Sequence, residues 1–152
     1  MGATLFISEE DNFNLNGLKL EGLHIADFSF KGTSLSGTYF YNVGFSNIDF
    51  TEVNLTGVTF VNCYKTGILN FTSANLSDSN IVTSDFSEAI LVNSNLSGVT
   101  IKGSSFENAD FSGAQMEGLT HSNSNFSASI DPPKNNIIRN NKLITIKEKL
   151  WK

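Results

Sequence analysis

A large apolar residue returns at every fifth position along most of this 152-residue chain. From the first clear occurrence the series reads Leu15, Leu20, Ile25, Phe30, Leu35, Phe40, Phe45, Phe50, Leu55 and Phe60. With 39% of residues hydrophobic, such a run in one chosen register arises by chance about once in ten thousand trials. After a slip of one residue the series resumes as Phe71, Leu76, Ile81, Phe86, Leu91, Leu96, Ile101, Phe106, Phe111, Met116, His121 and Phe126, and only His121 is not apolar. A helix repeats every ~3.6 residues and a strand every ~2, so neither element alone accounts for a period of five.

The positions around each centre carry a second pattern. Two residues before it stands a small side chain, as at Ala74, Ser79, Ser84, Ala89, Ser94, Ser104, Ala109 and Ala114. Just before it comes Asn or Asp, as at Asn14, Asp49, Asn54, Asn70, Asn75, Asp85, Asn95, Asp110 and Asn125. Gly often follows two residues later, at Gly17, Gly37, Gly57, Gly98 and Gly113 among others. Stretches such as Ala74-Asn-Leu-Ser-Asp78 and Ala109-Asp-Phe-Ser-Gly113 give the chain a resemblance, over about residues 13–130, to the pentapeptide-repeat family.

That resemblance implies an all-β fold: a right-handed quadrilateral parallel β-helix, a solenoid in which four pentapeptides complete one square coil. Residue n then stacks on residue n+20, with coils separated by the ordinary strand spacing of about 4.8 Å. The centre and the residue two before it point inward, and Gly, Asn, Asp and Ser turn the corners. Such stacking predicts one interior column of Phe30, Phe50, Phe71, Leu91 and Phe111 and another of Phe86, Phe106 and Phe126. The early coils carry bulky residues two before the centre (Leu18, Leu23, Phe28, Val43, Ile48, Val53, Val58), so a less regular first half is expected. Phe71 follows Phe60 at a spacing of eleven, and the centre between them falls on Lys65 or Thr66. The segment Asn62-Cys-Tyr-Lys-Thr-Gly67 therefore reads as a one-residue bulge or a small bend.

A solenoid exposes its core and strand edges at both ends unless these are covered. Residues 1–12 are expected to cap the N-terminus, with Leu5 or Phe6 over the first coil, and the repeat stops at Ile130-Asp-Pro-Pro133 because proline cannot continue the ladder. Residues 131–152 form the C-terminal cap in this reading: a hairpin turning at Asn140-Asn141, a helical turn over Lys147–Lys152, or both. The tail, from Pro132-Pro133 through Ile137-Ile-Arg139 to Leu150-Trp151, resembles the exit from the β-helix in secreted HECT-like ubiquitin ligases of enteric pathogens, whose catalytic domain is not part of this sequence. Richness in Asn, Ser, Ile and Lys, with one Arg in all, fits AT-rich effector genes.

Charge and chemistry narrow the function class. The formal net charge is −5, distributed as −3 over residues 1–12, −6 over 13–130 and +4 over 131–152. An acidic body argues against direct nucleic-acid binding, where phosphate contacts dominate affinity. No apolar run is long enough for a transmembrane helix, and the N-terminus lacks the basic region of a Sec signal. The expected location is the bacterial cytoplasm, or the host cell if the chain belongs to a secreted effector. A single Cys, Cys63, excludes an intramolecular disulfide and a multi-Cys metal site. His24 and His121 fall at repeat positions, no triad context surrounds Ser, His or Asp, and the acids lack metal-loop spacing, so we expect no catalytic residue, metal or cofactor. The Asn-x-Ser/Thr sequences at Asn54, Asn70, Asn75, Asn95 and Asn125 coincide with the repeat itself.

The densest aromatic cluster is Tyr39-Phe40-Tyr41. With Phe40 inward, Tyr39 and Tyr41 are expected on the surface beside Tyr64, one coil on, and exposed tyrosines make good interface anchors. The leading expectation is a non-catalytic protein–protein interaction module of a bacterial secreted effector, with a host protein as partner. The alternative, implied by family resemblance, is a DNA mimic that binds DNA gyrase or topoisomerase and protects against quinolones.

Overall fold

The computed structural model describes residues 14–133 and, as backbone, two further strands at Asn136–Arg139 and Lys142–Thr145. Its architecture follows from corner chemistry. Except at Gly67 in the third coil, the residue two after each centre takes the left-handed backbone conformation, in a series running from Gly17, Gly22, Asp27 and Gly32 to Gly118, Asn123 and Ala128. Gly, Asn and Asp tolerate that conformation best, which explains their place in the repeat. The Asn or Asp before the centre tightens the same corner. Its side-chain oxygen accepts the N–H two residues on: Asn54 from Thr56 at 3.1 Å, Asn70 from Thr72 at 3.0 Å, Asn75 from Ser77 at 3.1 Å, Asn95 from Ser97 at 3.0 Å and Asn125 from Ser127 at 2.9 Å. The Thr56 and Thr72 hydroxyls donate to the same oxygens, each at 2.7 Å. The Asn-x-Ser/Thr sequences are thus the turn chemistry of the repeat.

The coils stack as short parallel strands. One face holds β1 (Lys19–Glu21), β3 (Tyr39–Tyr41), β5 (Thr59–Val61), β8 (Asn80–Val82), β9 (Thr100–Lys102) and β10 (Thr120–Ser122), hydrogen-bonded in that order. The next face holds β2 (His24–Ser29) and β4 (Gly44–Asp49), followed by β6 (Tyr64–Lys65) and β7 (Leu69–Asn70), both of which pair with β4. Elsewhere the coils meet through isolated parallel bridges, such as the chain Asn14, Ser34, Asn54, Asn75, Asn95 and Gln115. The irregularity of the first half takes the form of the six-residue strands β2 and β4, which run on round a corner, whereas later coils pair over three residues or fewer.

Numbering the faces by their centres, face 1 carries Leu15, face 2 Leu20, face 3 Ile25 and face 4 Phe30, each continued coil by coil. The interior is a set of vertical columns. On face 4, Phe30, Phe50 and Phe71 are fully buried, with ring centroids 5.0 and 4.9 Å apart and planes within 6° and 8° of parallel. On face 2, Phe40 and Phe60 stack at 5.0 Å. On face 3, Phe86 meets Phe106 edge-on and Phe106 stacks on Phe126, each pair at 5.5 Å. Burying each such ring stabilises the fold by about 2–3 kcal/mol, and each ring pair adds about 0.5–1.5 kcal/mol. His121 takes the centre position above Ile101 on face 2, half-buried, with its ring edge-on to Phe126 at 5.0 Å.

One residue is inserted in the third coil. Phe45 still pairs with Lys65, a step of twenty, but Ile48 pairs with Leu69, a step of twenty-one. The extra residue therefore lies within Thr66-Gly67-Ile68, and Lys65 is the centre. Past the repeat, β11 (Asn136–Arg139) and β12 (Lys142–Thr145) pair antiparallel with Arg139 opposite Lys142; Asn140 and Asn141, where the turn is expected, lie outside the described residues. The expected N-terminal cap with Leu5 and Phe6, and the helical turn over Lys147–Lys152, lie outside the described residues.

Candidate functional site

The three tyrosines do not share one plane. Tyr39 and Tyr41 flank the buried Phe40 on β3, and alternation along the strand turns both rings outward on face 2. The rings are half-buried, parallel to within 10° and 6.3 Å apart. Lys19, one coil below, stands 6.0 Å from the centroid of Tyr39 while its ammonium contacts Glu21 at 3.0 Å. Glu21, by hydrogen bond and by charge, holds Lys19 above the usual lysine range. The neighbour of Tyr41 one coil on is Val61. Tyr64 instead pairs with Gly44 on face 3, round the corner turned by Asn42 and Val43.

Gly44 decides how Tyr64 lies. A Cβ at position 44 would sit 2.6 Å from Cζ and Oη of Tyr64 and 2.7 Å from Nδ1 of His24. The bare backbone therefore lets the Tyr64 ring lie along the face toward His24, with the side chain still 46% exposed.

The bulge places two residues that the repeat pattern left undecided. Lys65 occupies a centre on face 3, in the column of Phe45 and Phe86, and its side chain is only 11% exposed. Its ammonium reaches outward to Glu88, 70% exposed, at 3.5 Å. Ile68 leaves the interior and is 60% exposed. No apolar periodicity marks Ile68; the one available signal was the eleven-residue spacing. Cys63, two before Lys65, is buried, and burial pushes its thiol up to about 11. That is a poor nucleophile at neutral pH.

Charge is unevenly placed round the rod. Faces 3 and 4 and the corner between them carry Asp27, Asp49, Glu52, Asp85, Glu88, Glu107 and Asp110 against Lys31 and Lys65, and each lysine is paired, Lys31 with Glu52 at 3.4 Å and Lys65 with Glu88. Burial pushes the Asp49 carboxyl up, but the hydroxyl and N–H of Thr51, the Ser29 hydroxyl and the charge of Lys31 outweigh it and hold the group below the usual range. The hydroxyl and N–H of Ser112 do the same for Asp110. Among the described residues no three His, Cys, Asp or Glu side chains converge as a metal site would need, and no helix is long and apolar enough to cross a membrane.

Comparison with known proteins agrees with this geometry. The family model described as pentapeptide repeats matches in eight copies, at residues 14–57, 70–108 and 89–127. The match breaks over 58–69, the stretch that holds the bulge. No curated protein matches the sequence. Similar solved structures include QnrB1, a plasmid-mediated fluoroquinolone resistance protein, at 20% identity and TM-score 0.40, covering 85% of this chain and 74% of that one. A pentapeptide repeat protein from the cyanobacterium Cyanothece 51142 is 16% identical with TM-score 0.39, covering 74% of this chain and 90% of that one. HetL, involved in heterocyst differentiation regulation in the cyanobacterium Nostoc sp. strain PCC 7120, is 10% identical with TM-score 0.35, covering 76% of this chain and 85% of that one. With the repeat matched over most of its length and its coils stacked as parallel strands, the chain belongs to the pentapeptide repeat family.

Proposed function

We propose that the protein is a non-catalytic protein–protein interaction module of a bacterial secreted effector, and that Tyr39, Tyr41 and Tyr64 contact its partner. The observation that carries this reading is the parallel pair Tyr39 and Tyr41, held outward on a strand whose buried Phe40 is stacked on Phe60. Two large amphipathic rings on a rigid backing lose little side-chain entropy on binding, which suits interface anchors. The effector assignment draws on the tail resemblance and the composition. Immobilised protein exposed to human and bacterial lysates, with bound proteins identified by mass spectrometry, tests it. A human protein lost on Tyr39→Ser/Tyr41→Ser substitution supports both class and face. Retention by the double variant removes the face from the proposal.

A second reading, a DNA mimic acting on gyrase or topoisomerase, is favoured by the acids gathered on faces 3 and 4. Asp27 to Asp110 spans four coil steps, about 19 Å, over which duplex DNA carries about eleven phosphates. Seven carboxylates less two lysines imitate roughly half that density, so this reading ranks second. An unchanged gyrase supercoiling assay would remove it.

A further inference from the structure

We infer that the bulge Tyr64–Ile68 is a docking point for a basic protein segment that carries apolar side chains. This rests on the reading of the chain as a protein-binding module and names the chemistry of the partner.

The bulge is wired into place. The Thr66 N–H donates to the Phe45 carbonyl at 2.9 Å, and the Ile48 N–H donates to the Ile68 carbonyl at 2.8 Å. Asn47 braces it from the coil below: its Oδ1 accepts the Ile68 N–H at 3.2 Å, and its amide donates to Asp27 at 2.8 Å. Gly67 is required for this approach, since a Cβ there would stand 2.8 Å from the Asn47 backbone nitrogen and closer still to its side-chain oxygen. A tolerated slip would not need its own glycine and bracing side chain.

The scaffold holds apolar surface outward. The large hydrophobic residues exposed among the described residues are Leu18, Tyr64, Ile68 and Ile130. Leu18 and Ile130 sit on the first and last described coils, where stacking ends. Tyr64 and Ile68 are mid-rod, on one coil, four residues apart. Exposed apolar side chains on an ordered protrusion offer anchors at little entropic cost.

Charge selects the partner. The two faces that meet at the bulge carry Asp27, Asp49, Glu52, Asp85, Glu88, Glu107 and Asp110, and their two lysines are engaged, Lys65 by Glu88 and Lys31 by Glu52. A basic segment gains from that field, whereas nucleic acid or a second copy of this acidic rod would be repelled.

The test is selection of phage-displayed random peptides on the full chain, with counter-selection on the Tyr64→Ser/Ile68→Ser double variant. Both side chains are exposed, and circular dichroism with a urea midpoint checks that the variant folds. Enriched peptides should carry Lys or Arg beside Leu, Ile or aromatic residues. They should bind Ile68→Ser at least about tenfold more weakly and lose affinity as NaCl rises from about 50 to about 500 mM. Acidic or uncharged peptides, or equal binding to the double variant, overturn the inference. Peptides that ignore Ile68 but need Tyr39 and Tyr41 also overturn it and leave the binding-module reading standing. An empty selection overturns it too, and the lysate capture then judges the broader reading separately.

Discussion

Lys65 stands where face 3 otherwise puts Ile25, Phe45, Phe86, Phe106 and Phe126, and its side chain is only 11% exposed. Replacing it by leucine keeps a four-carbon apolar side chain at the centre and removes the ammonium. The loss is the pair with Glu88; that carboxylate is 70% exposed, so the pair contributes at most about 0.5 kcal/mol. Leucine loses about 1 kcal/mol less side-chain entropy on ordering than lysine. Release of the partly desolvated ammonium contributes about 1 kcal/mol more. Lys65→Leu is therefore expected to stabilise the protein by about 1–2 kcal/mol, a rise in Tm of roughly 3–6 °C for a chain of this size. Urea unfolding followed by circular dichroism gives the measurement, read as a higher midpoint with unchanged m value. Glu88→Gln, in the same assay, should cost no more than about 0.5 kcal/mol. A Lys65→Leu protein less stable than the parent by more than about 0.5 kcal/mol would refute this accounting and make the Lys65–Glu88 pair a structural requirement of the third coil.

Four further substitutions and one thiol probe test the rest of the frame. Phe50→Ala, which opens the stacked column between Phe30 and Phe71, should cost about 4 kcal/mol, and the half-buried Phe126→Ala about half as much, by urea midpoint. Asn95→Ala removes the acceptor of the Ser97 N–H and should cost about 1 kcal/mol, with no change in the far-ultraviolet spectrum. Asp49 and Asp110 are held below the usual carboxylate range, so each contributes stability above its unfolded pKa of about 3.9 that is lost as pH falls through the folded value. Thermal melts should drop below about pH 4, and Asp110→Asn, which keeps the turn, should flatten that drop; an unaltered acid slope would exclude Asp110 as a contributor. Cys63, its thiol pushed up to about 11 by burial, should react with an aromatic disulfide reagent at least about a hundredfold more slowly in the native protein than in denaturant; equal rates would mean that the third coil opens readily.

Most of the site was hidden for a reason that can be traced residue by residue. Tyr39 and Tyr41 were readable as an outward pair because Phe40 between them belongs to the period-five series. Tyr64 was not readable as their neighbour, since its face depends on counting corners from Tyr41 through Asn42 and Val43, and the structure sets it against Gly44. The sequence left Lys65 and Thr66 equivalent as the polar centre. Ile68 is not legible as a surface residue in the sequence, because an isolated isoleucine reads as core.

What the sequence determines alone is whatever a pentapeptide decides within itself. A left-handed residue two after the centre, an Asn or Asp that accepts the N–H two residues on, and one inward side chain per five are local events, so the coils, their columns and their turns follow from reading along the chain. What the tertiary structure alone decides is where the inserted residue goes. Its position depends on hydrogen bonds to the coil about twenty residues earlier: the Asn47 side chain holding Ile68, the Phe45 carbonyl holding Thr66, Gly67 passing where a Cβ cannot. Those contacts put Lys65 at the centre and Ile68 in solvent, because an extra residue has no place in the repeat and must be placed by its neighbours.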